Sequence, residues 1–267
     1  MKRILIIGKK SFIGSNLKNY LSKNFQVDSL SFEKAFKKKN LFFDKYNYVI
    51  NTSIHNFYIK KKYNKKFDLD TKFISKFDNL NFKYIFLNSR KIYFPRQNIS
   101  ENSKLKPIDN YSKNKLITEN FLKKKIRENL VSLRISNIIG KRIHNNHRTT
   151  HRLFFDNFIN YRKKKKKVFV ANDFKDFISI DQFNFVIKKI IQSNVVGIYN
   201  VSISKKIYIS ELIYWLDKKF HKRIKFIPSK NDSFTLSNKK ISKKIKIRLT
   251  KKQLELFCKK IFKVKKY

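Results

Sequence analysis

Tyr111 and Lys115 stand four residues apart in Tyr111-Ser112-Lys113-Asn114-Lys115, so a helix through this segment puts a phenol and an ammonium on one face. An ammonium near a phenol favours the phenolate and lowers its pKa from about 10 toward the range in which it can give and take a proton. Ser89 follows the apolar run Tyr84-Ile85-Phe86-Leu87 and can hydrogen-bond the same reacting oxygen. Together the three side chains suit general acid–base chemistry on a substrate oxygen. The spacing alone carries little, because a chain with 13 tyrosines and 65 lysines and arginines meets it by chance.

A second set opens the chain. Ile4-Leu5-Ile6-Ile7 is a continuous aliphatic run, the pattern of a strand buried on both faces of a parallel sheet. Gly8-Lys9-Lys10-Ser11-Phe12-Ile13-Gly14 follows as a turn into a helix, and such a turn gathers backbone N–H groups and the positive end of a helix where a phosphate can sit. Gly8 provides the tight turn, Gly14 lets the helix pack on the strand, and Ser11 stands where a middle glycine would let a pyrophosphate approach. Phe12 and Ile13 belong to the same first turn.

These sites need a sheet edge to hold them. The patterning predicts strands over 25–30, 46–53, 84–87, 131–137, 168–170 and 197–201, and helices over 16–23, 70–77, 111–127, 154–161 and 185–192, with Ser210 capping a further helix. Small polar residues at the end of a central strand, here Asn51-Thr52, are what a cofactor lying across the edge requires. In dinucleotide folds an acid near the end of the second strand holds the ribose 2′-hydroxyl; that place falls at Ser31, and Asp28 comes too early. The missing acid, with Lys9, Lys10 and Lys34 nearby, suits a 2′-phosphate, so between NAD and NADP the residues lean to NADP.

The fold class that follows is α/β, a doubly wound parallel sheet (Rossmann fold) with a small C-terminal substrate lobe. Residues 1–140 form the dinucleotide-binding domain, with segments around 172–201 returning to it, and 141–171 with 202–267 form the smaller lobe, where Trp215 packs and a lysine-rich tail of helix and strand fragments closes the chain.

With 267 residues and 41% hydrophobic content the chain can build a real core. Its formal net charge of +47 attracts polyanions non-specifically. Abundant Lys, Asn, Ile and Phe beside 4 Gly, 3 Pro and 1 Trp is the usage of an AT-rich genome, so the lysines, the run 163–167 included, do not by themselves announce a nucleic-acid partner. Single Cys258 excludes an internal disulfide framework and a cysteine zinc site, and His144, His147 and His151 lack partner ligands, so no metal is expected. The apolar run at Ile4 ends after four residues, too short for a signal sequence, and nothing approaches a membrane span; a cytoplasmic protein is expected.

Taken in order, these segments resemble the extended short-chain dehydrogenase/reductase family, the nucleotide-sugar epimerases, dehydratases and reductases. Gly8 to Gly14 matches its glycine-bearing turn, Val49-Ile50-Asn51 its cofactor-bordering strand, Ser89 four residues before Tyr93 its catalytic Ser or Thr, and Tyr111, Lys115 and Glu119 its active-site helix. Leu133-Arg134-x-x-Asn137-x-x-Gly140, Lys175-Asp176-Phe177-Ile178 and Gly197-Ile198-Tyr199-Asn200 are similar to its later signatures, the second with Lys for the usual Arg. The resemblance implies a bound NAD or NADP, a nucleotide-sugar substrate met by Ser89 and Asn137, hydride transfer with Tyr111 as general acid or base, Lys115 holding the nicotinamide ribose, a place in cell-surface polysaccharide biosynthesis, and a homodimer formed through a helix pair.

The departures are as informative. Ser11 adds a side chain at the pyrophosphate, Asp70 replaces a common asparagine at a helix start, and Arg90-Lys91 stands where the family's dehydratases carry an Asp-Glu pair, which argues against elimination. The alternative from another class is a non-catalytic Rossmann scaffold that binds RNA or anionic surfaces through its lysines; the complete Ser89, Tyr111 and Lys115 set argues against it.

Overall fold

The computed structural model describes residues 1–144, 154–163, 168–229 and 233–263, so His147, His151 and all but the first lysine of the 163–167 run lie outside the described residues. The chain runs β1 (Arg3–Ile7), α1 (Phe12–Leu21), β2 (Gln26–Leu30), α2 (Phe32–Phe36), β3 (Tyr48–Asn51), α3 (Asn56–Lys60), α4 (Leu69–Ile74), β4 (Lys83–Ser89), α5 (Asn110–Ile126), β5 (Leu130–Ile135) and β6 (Asn137–Ile139). It continues with α6 (Phe154–Lys163), β7 (Val168–Ala171), β8 (Phe174–Lys175), β9 (Phe177–Ser179), α7 (Ile180–Ser193), β10 (Gly197–Val201), β11 (Ile207–Tyr208), α8 (Ile209–Leu216), α9 (Lys218–His221), β12 (Ile224–Ile227), α10 (Lys239–Lys244) and α11 (Lys251–Lys263).

Six strands form one parallel sheet in the order β10-β5-β4-β3-β1-β2. The order reverses between β1 and β3, and in such sheets the crevice outside the strand ends at that reversal takes ligands. Ile7 lies opposite Asn51 there, so Gly8 and Thr52 emerge side by side. Alternation along β1 sends Ile4 and Ile6 into one apolar layer and Leu5 and Ile7 into the other. The first layer runs on through α7 and α8 to Cys258 in α11, so the C-terminal elements share a core with one face of the sheet. Strands β6 with β9, β7 with β12 and β8 with β11 pair outside the main sheet.

Several boundaries differ from those the patterning predicts. Helix α1 starts at Phe12 rather than 16, because Ser11 caps it, and α4 starts at Leu69 rather than 70, because the Asp68 carboxylate accepts from Thr71 N–H. A capping box of Ser179 and Gln182 starts α7 at Ile180, five residues before the predicted start. The run over 131–137 is two strands, with Ser136 between them donating its N–H to Val201. Ser210 is not a cap: α8 begins one residue earlier, after Tyr208, and the Ser210 N–H donates to Asn172. From Ser237 onward the described tail holds the helices α10 and α11 and no strand.

Candidate active site

The turn after β1 is built around two positions that tolerate no side chain. Gly8 has φ +104°, and a Cβ there would lie 2.6 Å from Thr52 Oγ1 and 2.7 Å from Ser53 Oγ. A Cβ on Gly14 would lie 2.4 Å from the Gly8 carbonyl oxygen, which is how close the helix sits to the turn. Ser11 is the N-cap: its hydroxyl accepts from Gly14 N–H at 2.9 Å and shares a 2.7 Å hydrogen bond with Thr52 Oγ1. The hydroxyl is therefore turned inward, toward the end of β3. The N–H groups of Phe12 and Ile13 donate to no acceptor among the described residues, so two first-turn donors are left at the positive end of the helix dipole. The Phe12 side chain itself is buried in the core.

The other cofactor-side residues divide. Thr52 donates its hydroxyl hydrogen bond toward the Ile7 carbonyl at 2.8 Å and belongs to the Ser11 network. Asn51 is buried and committed elsewhere, its amide donating to Asp70 at 2.9 Å and its oxygen accepting from Ser53 N–H. Ser31 lies just beyond β2 as the N-cap of α2, where its hydroxyl accepts from Lys34 N–H at 3.3 Å; the Leu30 carbonyl beside it receives Gly8 N–H. Lys9, Lys10 and Lys34 are exposed, and Asp28 accepts from the Tyr46 hydroxyl at 2.7 Å.

The acid–base residues meet further along the same edge. Strand β4 ends in Ser89, and α5 starts at the Asp109 cap, which accepts from Ser112 N–H at 2.7 Å and pairs with Lys91 at 2.9 Å. Tyr111, in the first turn of α5, has the Ser89 hydroxyl at the end of β4 close enough to favour its phenolate. Lys115, one turn on, is buried; its Nζ donates to the Leu87 carbonyl at 2.8 Å and lies 4.5 Å from the Phe86 ring centroid. The expected lowering of the Tyr111 pKa by Lys115 does not hold. Burial pushes the phenol up to about 12, against the Ser89 hydroxyl that favours the phenolate, and Asp109 and Asp70 add to the rise. Burial pushes the Lys115 ammonium down, while Asp70, Asp68 and Glu119 push it back.

Asn137 opens β6, half-buried, its N–H donating to the Asp176 carbonyl and its side-chain amide taking no hydrogen bond among the described residues. Two buried acids near Lys115, Asp68 and Asp70, were not expected as site residues. The pattern Asp-x-Asp before an apolar helix was their trace in the sequence. No group of three or more His, Cys, Asp or Glu gathers as a metal site among the described residues.

Two first-turn amides without an acceptor among the described residues, at the start of a ten-residue helix, with glycines where the turn needs them and a capping hydroxyl turned inward, fit a dinucleotide diphosphate. The sequence profile of the NAD dependent epimerase/dehydratase family matches residues 4–202. The chain belongs to that family. As a member it is an NAD(P)-dependent enzyme, and solved structures agree in fold. A UDP-N-acetylglucosamine 4-epimerase from Methanobrevibacter ruminantium M1, in complex with UDP-N-acetylmuramic acid, superposes with TM-score 0.78 at 19% identity over 98% of this chain and 97% of that one. A dTDP-4-dehydrorhamnose reductase from Bacillus anthracis str. Ames, in complex with NADP, gives TM-score 0.79 at 13% identity over 99% and 100%. The dTDP-glucose 4,6-dehydratase of the same strain, in complex with NAD, gives 0.75 at 13% identity over 98% and 96%. A comparison with curated proteins finds no match. Among the described residues of this epimerase/dehydratase family member, no helix is long and apolar enough to cross a membrane.

Proposed function

We propose that the protein is a nucleotide-sugar reductase or epimerase that moves a hydride between NAD(P) and a sugar carbon. The observation that carries this reading is the meeting of two elements at the sheet edge: β4 ends in Ser89, Tyr111 stands in the first turn of α5, and Lys115 one turn along the same helix is tied to β4 by the Leu87 carbonyl at 2.8 Å. The nicotinamide supplies or takes the hydride. Phe12 and Ile13 N–H at the α1 terminus would hold the diphosphate, with Gly8, Ser11 and Gly14 shaping the turn and Thr52 bracing it. Asn51 would act through the strand end it fixes, and Ser31 with Lys34 would meet the adenosine ribose or its 2′-phosphate.

At the reacting end Ser89 would orient the sugar oxygen and Tyr111 would exchange its proton. A phenol held at about 12 is protonated near neutrality and can donate its proton. Lys115 would hold the nicotinamide ribose. Arg90 stacks 3.9 Å from the Phe234 ring centroid and Lys91 pairs with Asp109, so neither place offers a carboxyl group for elimination. The segments 141–171 and 202–267, with α6, β7 and the elements from β11 onward, would form the substrate lobe, and Asn137 would stand at its entrance.

Titration with NADPH and with NADH, followed by nicotinamide fluorescence, tests the reading. Binding of either supports it, and preference for NADPH supports the roles of Ser31 and Lys34. A folded protein that binds neither, yet binds RNA with steep salt dependence, overturns it in favour of a scaffold.

A further inference from the structure

The edge of the sheet opposite the candidate active site carries a patch that the proposed chemistry does not use. The six strands are parallel, so all of them begin along one edge, and the chain between α2 and β3 runs along it. Tyr46 N–H donates there to the Phe43 carbonyl, and Asn47 N–H to the Arg3 carbonyl at the start of β1. A 3-10 turn, Asn40–Phe43, lifts Leu41 into solvent, where it is 81% exposed. Lys37, Lys38 and Lys39 precede the turn and Lys45 follows it, all exposed. The Lys38 and Lys45 ammonium groups lie 5.1 and 4.5 Å from the Phe42 ring centroid. Lys76, beyond α4, reaches across to donate to the Phe36 carbonyl at 2.6 Å and the Lys38 carbonyl at 2.7 Å, and Asn40 donates to its own carbonyl at 3.0 Å. Five cations thus gather, by sequence or by contact, at one exposed leucine. Among the described residues none of the five pairs with a carboxylate. Asp44, next to the turn, accepts from Asn81 at 3.0 Å instead.

We propose that this patch docks the protein on an anionic lipid surface, the lysines against the headgroups and Leu41 in the boundary beneath them. Each lysine held near such a surface strengthens the attraction about fivefold. An aliphatic side chain set among lysines is what the boundary between headgroups and acyl chains accepts. Single-stranded nucleic acid stacks instead on exposed aromatic rings. Here Phe36 and Phe42 are half-buried and Phe43 is buried, with ammonium groups over them. A second copy of this chain would set the same cations against each other. The place in the fold suits docking: Gly8 follows the end of β1 and Ser89 ends β4, so a surface lying against the strand starts leaves the candidate site open. The net charge of +47 draws polyanions to every face, and Leu41 with its flanking lysines singles out this one. The docking does not depend on the proposed hydride transfer.

The test is sedimentation of the full chain with phosphatidylcholine vesicles, with and without phosphatidylglycerol, at moderate salt. Wild type should bind the anionic vesicles and leave the neutral ones. Lys37→Gln, Lys38→Gln and Lys39→Gln combined should weaken that binding by about a hundredfold. Leu41→Ser should weaken it by about tenfold. A matched control, Lys205→Gln, Lys219→Gln and Lys222→Gln, removes the same charge beyond the end of β10 and around α9, and should cost less than about threefold because screening confines each charge to its own face. All seven positions are exposed, so urea midpoints should stay at wild type. Equal losses in the patch and control variants would leave only undirected charge and overturn the proposal. So would equal binding to both kinds of vesicle, or binding to neither. If the patch lysines prove dispensable for vesicles but needed for an oligouridylate, the face belongs to RNA and the proposal is likewise overturned.

Discussion

Arg134 and Glu119 meet at 2.6 Å with side chains only 5% and 2% exposed, joining β5 to α5 directly behind the acid–base residues. The same carboxylate accepts from Asn88, whose oxygen in turn accepts from Ser89 N–H at 2.7 Å, so the ion pair sets the backbone that carries Ser89. Removing one member of a buried pair leaves the other charge uncompensated, at a cost of about 3–5 kcal/mol. Glu119→Gln should therefore lower stability by an amount in that range, read as a shift in the urea midpoint. A loss below about 1 kcal/mol would show that the pair is replaceable by neutral hydrogen bonds.

Tyr111→Phe removes the proton donor and leaves the phosphate-binding turn intact. It should abolish turnover, by a factor of about a hundred or more, the usual worth of a placed general acid, while NADPH affinity stays within about threefold of wild type (below 1 kcal/mol). With the phenol at about 12, activity in the reductive direction should hold through neutral pH without an alkaline limb from this residue. A Tyr111→Phe protein that turns over normally removes Tyr111 from the chemistry.

Ser11 looked from its position like an obstruction to the cofactor, and the structure turns its hydroxyl into a cap. Ser11→Ala should then cost about 1 kcal/mol and Ser11→Gly only a few tenths, since glycine is tolerated at the cap. Neither should raise NADPH affinity by as much as tenfold, or about 1.4 kcal/mol. A large gain in affinity for Ser11→Gly would mean that the serine does stand in the path of the diphosphate.

What was legible follows from how each feature is encoded. Strands buried on both faces leave continuous apolar runs, so Ile4–Ile7 and Tyr84–Leu87 could be placed from the sequence and a parallel sheet expected of them, whereas the strand expected over 168–170 pairs with β12 outside that sheet. Tyr111 and Lys115 share a face by helical period, which needs no tertiary knowledge. The sign of the Tyr111 shift was not available, because it depends on how much solvent the fold removes from the phenol and on Asp109 and Asp70, which add to the rise. Helix starts at Phe12, Leu69 and Ile180 were missed for a local reason: the caps Ser11, Asp68 and Ser179 are recognisable only once the amide they accept from is known. Ser210 failed in the opposite way, a good capping residue whose backbone N–H is held by Asn172 from another element. Asp70 read as a departure from a family pattern; its burial, with the Tyr84 hydroxyl and the Asn51 amide donating to it, comes from elements distant in sequence.

Asp176 has no exposed surface and fastens three segments, its two oxygens accepting from Ile203 N–H at 3.2 Å and Leu236 N–H at 3.1 Å, with Ser202 and Ser204 assisting. Burial pushes its pKa from the ordinary 3.8 up to about 7, more than these hydrogen bonds restrain it. The native state thus binds this proton more tightly than the unfolded chain does. Its contribution to stability is present in full below about pH 4 and is lost as pH rises through about 7, and by linkage the whole span amounts to about 4 kcal/mol. Asp70, also pushed up by burial, works in the same direction, so the two must be separated by variants. Asp176→Asn leaves one backbone donor without an acceptor and should cost about 1–3 kcal/mol at pH 5. It should also flatten the fall in urea midpoint between pH 5 and pH 8 relative to wild type, so that the two proteins converge as pH rises. Parallel curves for the two proteins would mean that Asp176 does not titrate in that window and that its hydrogen bonds hold it charged.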